Sequence, residues 1–186
     1  MTLKPLKMNK KVTLHDKNFV LFKTQDQINN TIKKIATSIN SMNPINSVFI
    51  PVLNGSFMFT SDLCKELKIL PEIQFIKVKS YEDFESSGKV TELIGLKDSL
   101  EGKTVFIIED IVDTGITISN LYNKIKLMNP KEIYVVTLLF KPDKYNGGLD
   151  INILYGFSIA NDFVVGYGMD YNELGRNLKE IYVLKE

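Results

Sequence analysis

Apolar residues recur along this chain with two different periods. From 24 to about 42 they fall at Ile28, Ile32, Ile35, Ala36 and Ile39, one face of a helix that Thr24 is placed to cap. Residues 47–52 read as a strand, and Leu53-Asn54-Gly55-Ser56 as the turn that ends it. A helical pattern covers 57–67, and alternation with β-branching predicts a strand over 73–78. After the polar stretch EDFESSGK (82–89), a short β-branched run at 105–108 predicts a strand covered on both faces. The turn assigned to 109–115 leads into a helical stripe at Ile118, Leu121, Ile125 and Met128, which Pro130 stops. A second buried strand is predicted at 133–140, with shorter ones at 151–155, 163–165 and 181–184. Strands alternating with helices predict an α/β fold, a mainly parallel sheet flanked by helices.

At 186 residues a single domain is expected, able to bury about 70% of its unfolded surface. Hydrophobic residues make up 44% and charged residues 24%, the balance of a globular protein. A formal net charge of +1 gives no polyanion footprint, so no nucleic-acid partner is expected. The opening MTLKPLKMNKK carries four lysines and no acid, with no apolar core behind it, and reads as a solvated tail. No apolar run approaches the length of a membrane span. Cys64 is the single cysteine, so no disulfide can form within the chain, which suits a reducing cytoplasm. With His15 as the only histidine, zinc sites of the usual cysteine-histidine type are excluded by count, and no nucleophilic triad is supported.

The candidate chemistry lies at the carboxyl end of the 105–108 strand, where open α/β sheets bind ligands. Thr114, Gly115 and Thr117 suit a loop whose amides converge on a phosphate at a helix N-terminus. Glu109, Asp110 and Asp113 repel a bare phosphate, but accept hydrogen bonds from sugar hydroxyls or hold a metal. A sugar phosphate satisfies both sets. The plainer alternative is an ordinary strand-turn-helix with solvated acids.

EDIVDTGIT (109–117) resembles the phosphoribosyl-diphosphate motif of the type I phosphoribosyltransferases. PVLNGSFMFTSDL (51–63), VKSYEDF (78–84), TLLFKP (137–142) and NDFVVGYGMDYNELGRNL (161–178) resemble the hypoxanthine-guanine branch of that family, in its order and spacing, over about 45–184. The resemblance implies transfer of 5-phosphoribose from phosphoribosyl diphosphate to a 6-oxopurine (hypoxanthine, guanine or xanthine). The products would be the nucleotide, IMP or GMP, and pyrophosphate. It implies one domain over 1–186 with the family's fold, a hood made of N-terminal residues and about 150–186, and a mobile lid over about 80–92.

The resemblance also assigns roles. Glu109 and Asp110 hold the ribose hydroxyls, directly or through Mg²⁺, and Asp170 lies near a second Mg²⁺. Asp113 is the general base, and Thr114, Gly115, Ile116 and Thr117 cradle the 5′-phosphate; relatives often carry a polar or basic side chain where Ile116 stands. Leu53, Asn54 and Gly55 form a pyrophosphate loop with a cis non-proline peptide, again without the basic residue common in relatives, and Arg176 meets the leaving pyrophosphate. Phe163 stacks on the purine, Val164 and Asp170 offer it main-chain groups, and Lys141 donates to its exocyclic oxygen. Lys79, Ser80 and Tyr81 begin the lid. A homodimer or homotetramer is implied. The alternative is a regulator that keeps the fold to sense phosphoribosyl diphosphate or nucleotide.

Overall fold

The computed structural model describes residues 10–79, 91–94, 96, 99–146 and 151–185. Among them the chain runs β1 (Lys11–Leu14), β2 (Lys17–Lys23), α1 (Gln25–Met42), β3 (Ser47–Leu53), α2 (Phe57–Glu66), β4 (Glu72–Ile73) and β5 (Ile76–Lys79). It continues through β6 (Thr91–Ile94), β7 (Thr104–Val112), α3 (Ile116–Lys126), β8 (Glu132–Phe140), β9 (Asn152–Ser158), β10 (Val164–Val165) and β11 (Ile181–Leu184). No helix among the described residues is long and apolar enough to cross a membrane.

The larger sheet has the order β6-β5-β3-β7-β8-β9, with β4 also on β3. The pairings of β3, β7, β8 and β9 are parallel. Each central strand sends alternate residues to opposite faces. Phe49, Phe106, Val136 and Leu138 pack with the apolar stripes of α1 and α2. Val48, Ile50, Val105, Ile107 and Val135 pack with Ile118, Leu121 and Ile125 of α3. Helix α1 begins where its sequence signal places it. Thr24 Oγ1 accepts from the Gln27 amide at 3.2 Å, and Gln27 Oε1 accepts from the Thr24 amide at 2.9 Å, a capping box.

Four sequence expectations need correction. The 105–108 strand does not end at the acids: β7 runs to Val112, pairing Glu109 with Thr137 and Val112 with Phe140 of β8. The ladder to β8, which has nine residues like β7, keeps those residues extended. The strand expected at 73–78 is split into β4 and β5, which dock successively on β3. The basic opening is not all tail, since Lys11 starts the hairpin β1–β2 and Lys10 Nζ meets Glu180 Oε1 at 2.9 Å. Finally, Asn152–Ser158, inside the expected hood, is an edge strand of the large sheet, paired to β8 along most of its length.

The second sheet is antiparallel, β1-β2-β11-β10, and joins residues 11–23 to 164–184. Its own core is Leu14, Phe19, Val165 and Tyr182.

Candidate active site

The parallel ladder sets the site. Because β7 and β8 end together, Val112 opposite Phe140, the next residues of both strands emerge side by side. Asp113 Oδ2 accepts from Lys141 Nζ at 2.9 Å. Lys141 is buried, and its amide donates to Val112 O at 3.0 Å. Lys144 Nζ lies 3.5 Å from Asp113 Oδ1, an oxygen shielded from solvent that accepts no hydrogen bond among the described residues. The carboxylate is thus held by a hydrogen bond on one oxygen and by the more distant Lys144 charge on the other.

From Asp113 the chain turns through Thr114 into Gly115, whose φ of 82° is the left-handed conformation that glycine adopts without steric cost. Helix α3 begins at the next residue. Residues 113–117 line a cavity of about 110 Å³ with Glu109, Ile111, Val112 and Ile118. The Asn146 amide donates to Thr114 O at 3.0 Å and ties the loop after β8 to this turn. The Ile116 side chain is exposed, so the cradle it helps to form is main chain and hydroxyl.

Glu109 and Asp110 precede this turn on β7. Burial, then the adjacent Asp110 charge, pushes the Glu109 carboxyl well above the ordinary carboxylate range. Burial also raises Asp110, against main-chain hydrogen bonds and the Arg176 guanidinium, which favour its charged form. Two desolvated acids side by side ionise together only at a cost. Hydroxyl donors or a divalent cation would relieve that cost, so the pair fits either ligand. Among the described residues no group of three or more His, Cys, Asp or Glu side chains could hold a metal by itself. Glu109, Asp110 and Asp170 therefore do not form one cluster.

The raised Glu109 pKa has a sign. An acid whose folded-state value lies above its unfolded value favours folding below the unfolded value, and that contribution is lost as pH rises through the folded one. At neutral pH, keeping this carboxyl buried costs the unliganded protein stability, whether as the anion or with a proton taken up on folding. Glu109→Gln is expected to unfold at a higher temperature than wild type at pH 7.5, with the difference closing near pH 4, followed by calorimetry.

Across the crevice, the Leu53–Asn54 peptide at the end of β3 is cis. A Cβ built on Gly55 would run into the Asp110 carboxylate, and one built on Gly168 would run into Gly55 O. Arg176 is nearby, with Nη1 donating to Gly168 O at 3.0 Å and Nη2 meeting Asp170 Oδ1 at 2.8 Å and Glu173 Oε2 at 3.3 Å. Asp170 Oδ2 accepts from the Glu173 amide at 2.8 Å.

The small sheet supplies an aromatic wall. Phe163 is 44% exposed, with its ring 6.1 Å from Phe19 and 5.8 Å from Tyr171, edge to face. Lys17 Nζ lies 4.7 Å from the Tyr171 ring centre. Val164, the next residue, is buried and pairs with Val183. Lys79 ends β5, while Ser80 and Tyr81, with the rest of the expected lid to residue 90, lie outside the described residues.

Two features escaped the sequence reading. Lys144 beside Asp113 follows from the turn after β8. The packing of Gly168 on Gly55 had a signal in Gly166-Tyr167-Gly168, where closely spaced glycines mark a tight backbone approach.

The phosphoribosyl transferase domain profile matches residues 24–172. The chain belongs to the phosphoribosyltransferase family. Within that family the chain is similar to hypoxanthine and hypoxanthine-guanine phosphoribosyltransferases. The hypoxanthine phosphoribosyltransferase of Buchnera aphidicola subsp. Schizaphis graminum is 41% identical over 143 residues, 76% of this chain and 79% of its own length. The hypoxanthine-guanine phosphoribosyltransferase of Mycobacterium tuberculosis is 37% identical over 160 residues, 86% of this chain and 77% of its own. Among solved structures, hypoxanthine phosphoribosyltransferase from Staphylococcus aureus superposes with a TM-score of 0.83 at 36% identity, covering 89% of this chain and 90% of that one. The Trypanosoma cruzi enzyme, in a ternary complex with substrates, gives 0.81 at 34% identity, covering 96% and 97%.

Proposed function

We propose that this chain is a purine-salvage transferase that moves 5-phosphoribose from phosphoribosyl diphosphate to hypoxanthine or guanine and releases pyrophosphate. The observation that carries the reading is the shared edge of β7 and β8. There Glu109 and the 113–117 turn line one cavity, Asp110 is the next residue on β7, and buried Lys141 pairs with Asp113. Glu109 and Asp110 accept from the ribose hydroxyls, and the 114–117 loop holds the 5′-phosphate through main-chain donors. Gly55, with Leu53 and Asn54, offers its loop to the diphosphate, and Arg176 meets the departing pyrophosphate with a planar fork once released from Asp170.

As a purine ring nitrogen bonds to the anomeric carbon, the bond from that carbon to pyrophosphate oxygen breaks. Asp113 takes the proton that leaves the imidazole ring. Lys141 donates to the exocyclic oxygen, and Phe163 and Val164 cover the base. Glu109 and Asp110 would hold one Mg²⁺ together with the ribose hydroxyls, and Asp170 would lie near a second; when bound, the ions would supply positive charge to the diphosphate. The bond-making is positional, with no covalent intermediate on the protein. Lys79, Ser80 and Tyr81 belong to the lid that would exclude water. Xanthine is a further candidate base, and the cytoplasm the expected setting. A homodimer or homotetramer is the expected assembly, for which exposed Leu70, Ile73 and Phe75 offer apolar surface.

Adenine presents an amino group where a 6-oxopurine presents oxygen, so Lys141 would face donor with donor. Lys141→Ala should therefore lower kcat/KM for hypoxanthine by about 10- to 100-fold, the size of one lost hydrogen bond to a charged group. It should also narrow the gap to adenine. Unaltered selectivity would assign that edge to another residue. The whole reading is tested by nucleotide formation from hypoxanthine, guanine, xanthine, adenine and uracil with phosphoribosyl diphosphate and Mg²⁺. Turnover of hypoxanthine or guanine above adenine and uracil is expected. Inactivity with all five would favour a regulator that senses phosphoribosyl diphosphate or nucleotide.

A further inference from the structure

Between Gly55 and Arg176 lies a buried tyrosine to which the reaction above gives no part. Tyr167 is 2% exposed and holds φ at 50°, a backbone conformation that a bulky residue keeps only where its surroundings enforce it. Gly166 and Gly168 on either side are also left-handed, at 93° and 103°. The segment is pinned by its main chain. The Tyr167 amide donates to Leu178 O and the Gly168 amide to Arg176 O, both at 2.9 Å. The phenol then leaves this sheet and reaches α2, donating to Asp62 Oδ2 at 2.6 Å. Asp62 Oδ1 is paired separately with Lys65 at 2.9 Å.

The consequence lies one residue further on. Gly168 is the residue that packs on Gly55 O and whose carbonyl accepts from Arg176 Nη1. Helix α2, which carries Asp62, begins directly after the Gly55 loop. The phenol therefore ties the segment touching both pyrophosphate-facing elements to the helix that continues from one of them.

We propose that Tyr167 and Asp62 are positioning residues for the diphosphate end of the substrate. Their hydrogen bond keeps Gly168 seated on Gly55 and the Gly168 carbonyl in place behind Arg176. Neither side chain touches the reacting atoms. The inference rests on the assignment of residues 53–55 and Arg176 to the pyrophosphate.

Tyr167→Phe removes the hydroxyl and keeps the ring that fills the core. The KM for phosphoribosyl diphosphate is expected to rise about tenfold, as for one lost hydrogen bond to a charged partner. The KM for pyrophosphate in the reverse reaction should rise with it, while the KM for hypoxanthine stays within about twofold of wild type, since no purine contact is lost. Asp62→Ala should reproduce this split. Asp62→Asn keeps an oxygen acceptor for the phenol and should restore wild-type behaviour. Lys65→Met breaks only the surface ion pair and should leave all three constants unchanged. Unchanged diphosphate KM values in Tyr167→Phe and Asp62→Ala would overturn the inference. So would an equal rise in the hypoxanthine KM, which marks general loosening. An inactive wild type would overturn the proposed function and the inference together; an active wild type without the split overturns the inference alone.

Discussion

Asp113→Asn is expected to lower kcat by about 10²- to 10³-fold, within the range that a positioned general base contributes. Asparagine keeps the shape of the side chain, and its carbonyl can still accept from Lys141, 2.9 Å from the carboxylate in the wild type. What it cannot do is take a proton. Asp113 directly follows Val112, which β8 holds through the Val112–Phe140 pair and the Lys141 amide, so the strand before it is placed without help from the Asp113 side chain. The variant should therefore fold normally and bind phosphoribosyl diphosphate within about threefold of wild type, because an interaction realised only in the transition state is the one removed. Single-turnover kinetics beside equilibrium binding separate the two quantities. A rate that survives the substitution would remove Asp113 from the proton transfer.

Gly168→Ala should have the largest structural effect. The added methyl would point at Gly55 O, a main-chain atom that no rotamer change can move, and the residue sits at φ 103°. Overpacking against backbone together with an unfavourable dihedral costs about 2–4 kcal/mol. Relief would have to come from parting the 166–168 segment and the Gly55 loop. Loss of stability should then accompany at least a tenfold fall in kcat/KM for phosphoribosyl diphosphate, about 1.4 kcal/mol in transition-state stabilisation. Gly102→Ala is the control. Its φ is 69°, but a Cβ there meets nothing within 4 Å. It should cost about 1–2 kcal/mol through the dihedral alone and leave the kinetics untouched. Equal kinetic effects from both variants would dissociate the Gly168–Gly55 contact from diphosphate binding.

The legible parts of this chain were those governed by neighbours in sequence. Helix α1 announces itself through Thr24, Gln27 and a run of isoleucines, all local signals. The end of β7 does not, because Glu109 and Asp110 carry turn chemistry. Only the ladder to β8, a long-range partner, keeps them extended. The β1–β2 hairpin was obscured by its lysines, of which Lys17 and Lys23 lie over aromatic rings, while Phe19 is fully buried. The candidate site follows the same division. The residues of 109–117 could be read as a phosphate-and-hydroxyl site from their types and order. The pairing of Asp113 with Lys141, 28 positions apart, needed the β7–β8 register. The pairing of Arg176 with Asp170 needed the turns within 168–176, and the seating of Gly168 on Gly55 needed that segment packed on the end of β3.

The most direct test is a crystal structure of the chain with its nucleotide product, IMP or GMP. The ribose hydroxyls are expected about 3 Å from the Glu109 and Asp110 carboxylates, at ordinary hydrogen-bond distance, with the phosphate on the amides of residues 114–117. A nucleotide seated elsewhere, with 109–117 making no contact to sugar or phosphate, would contradict the account at its root.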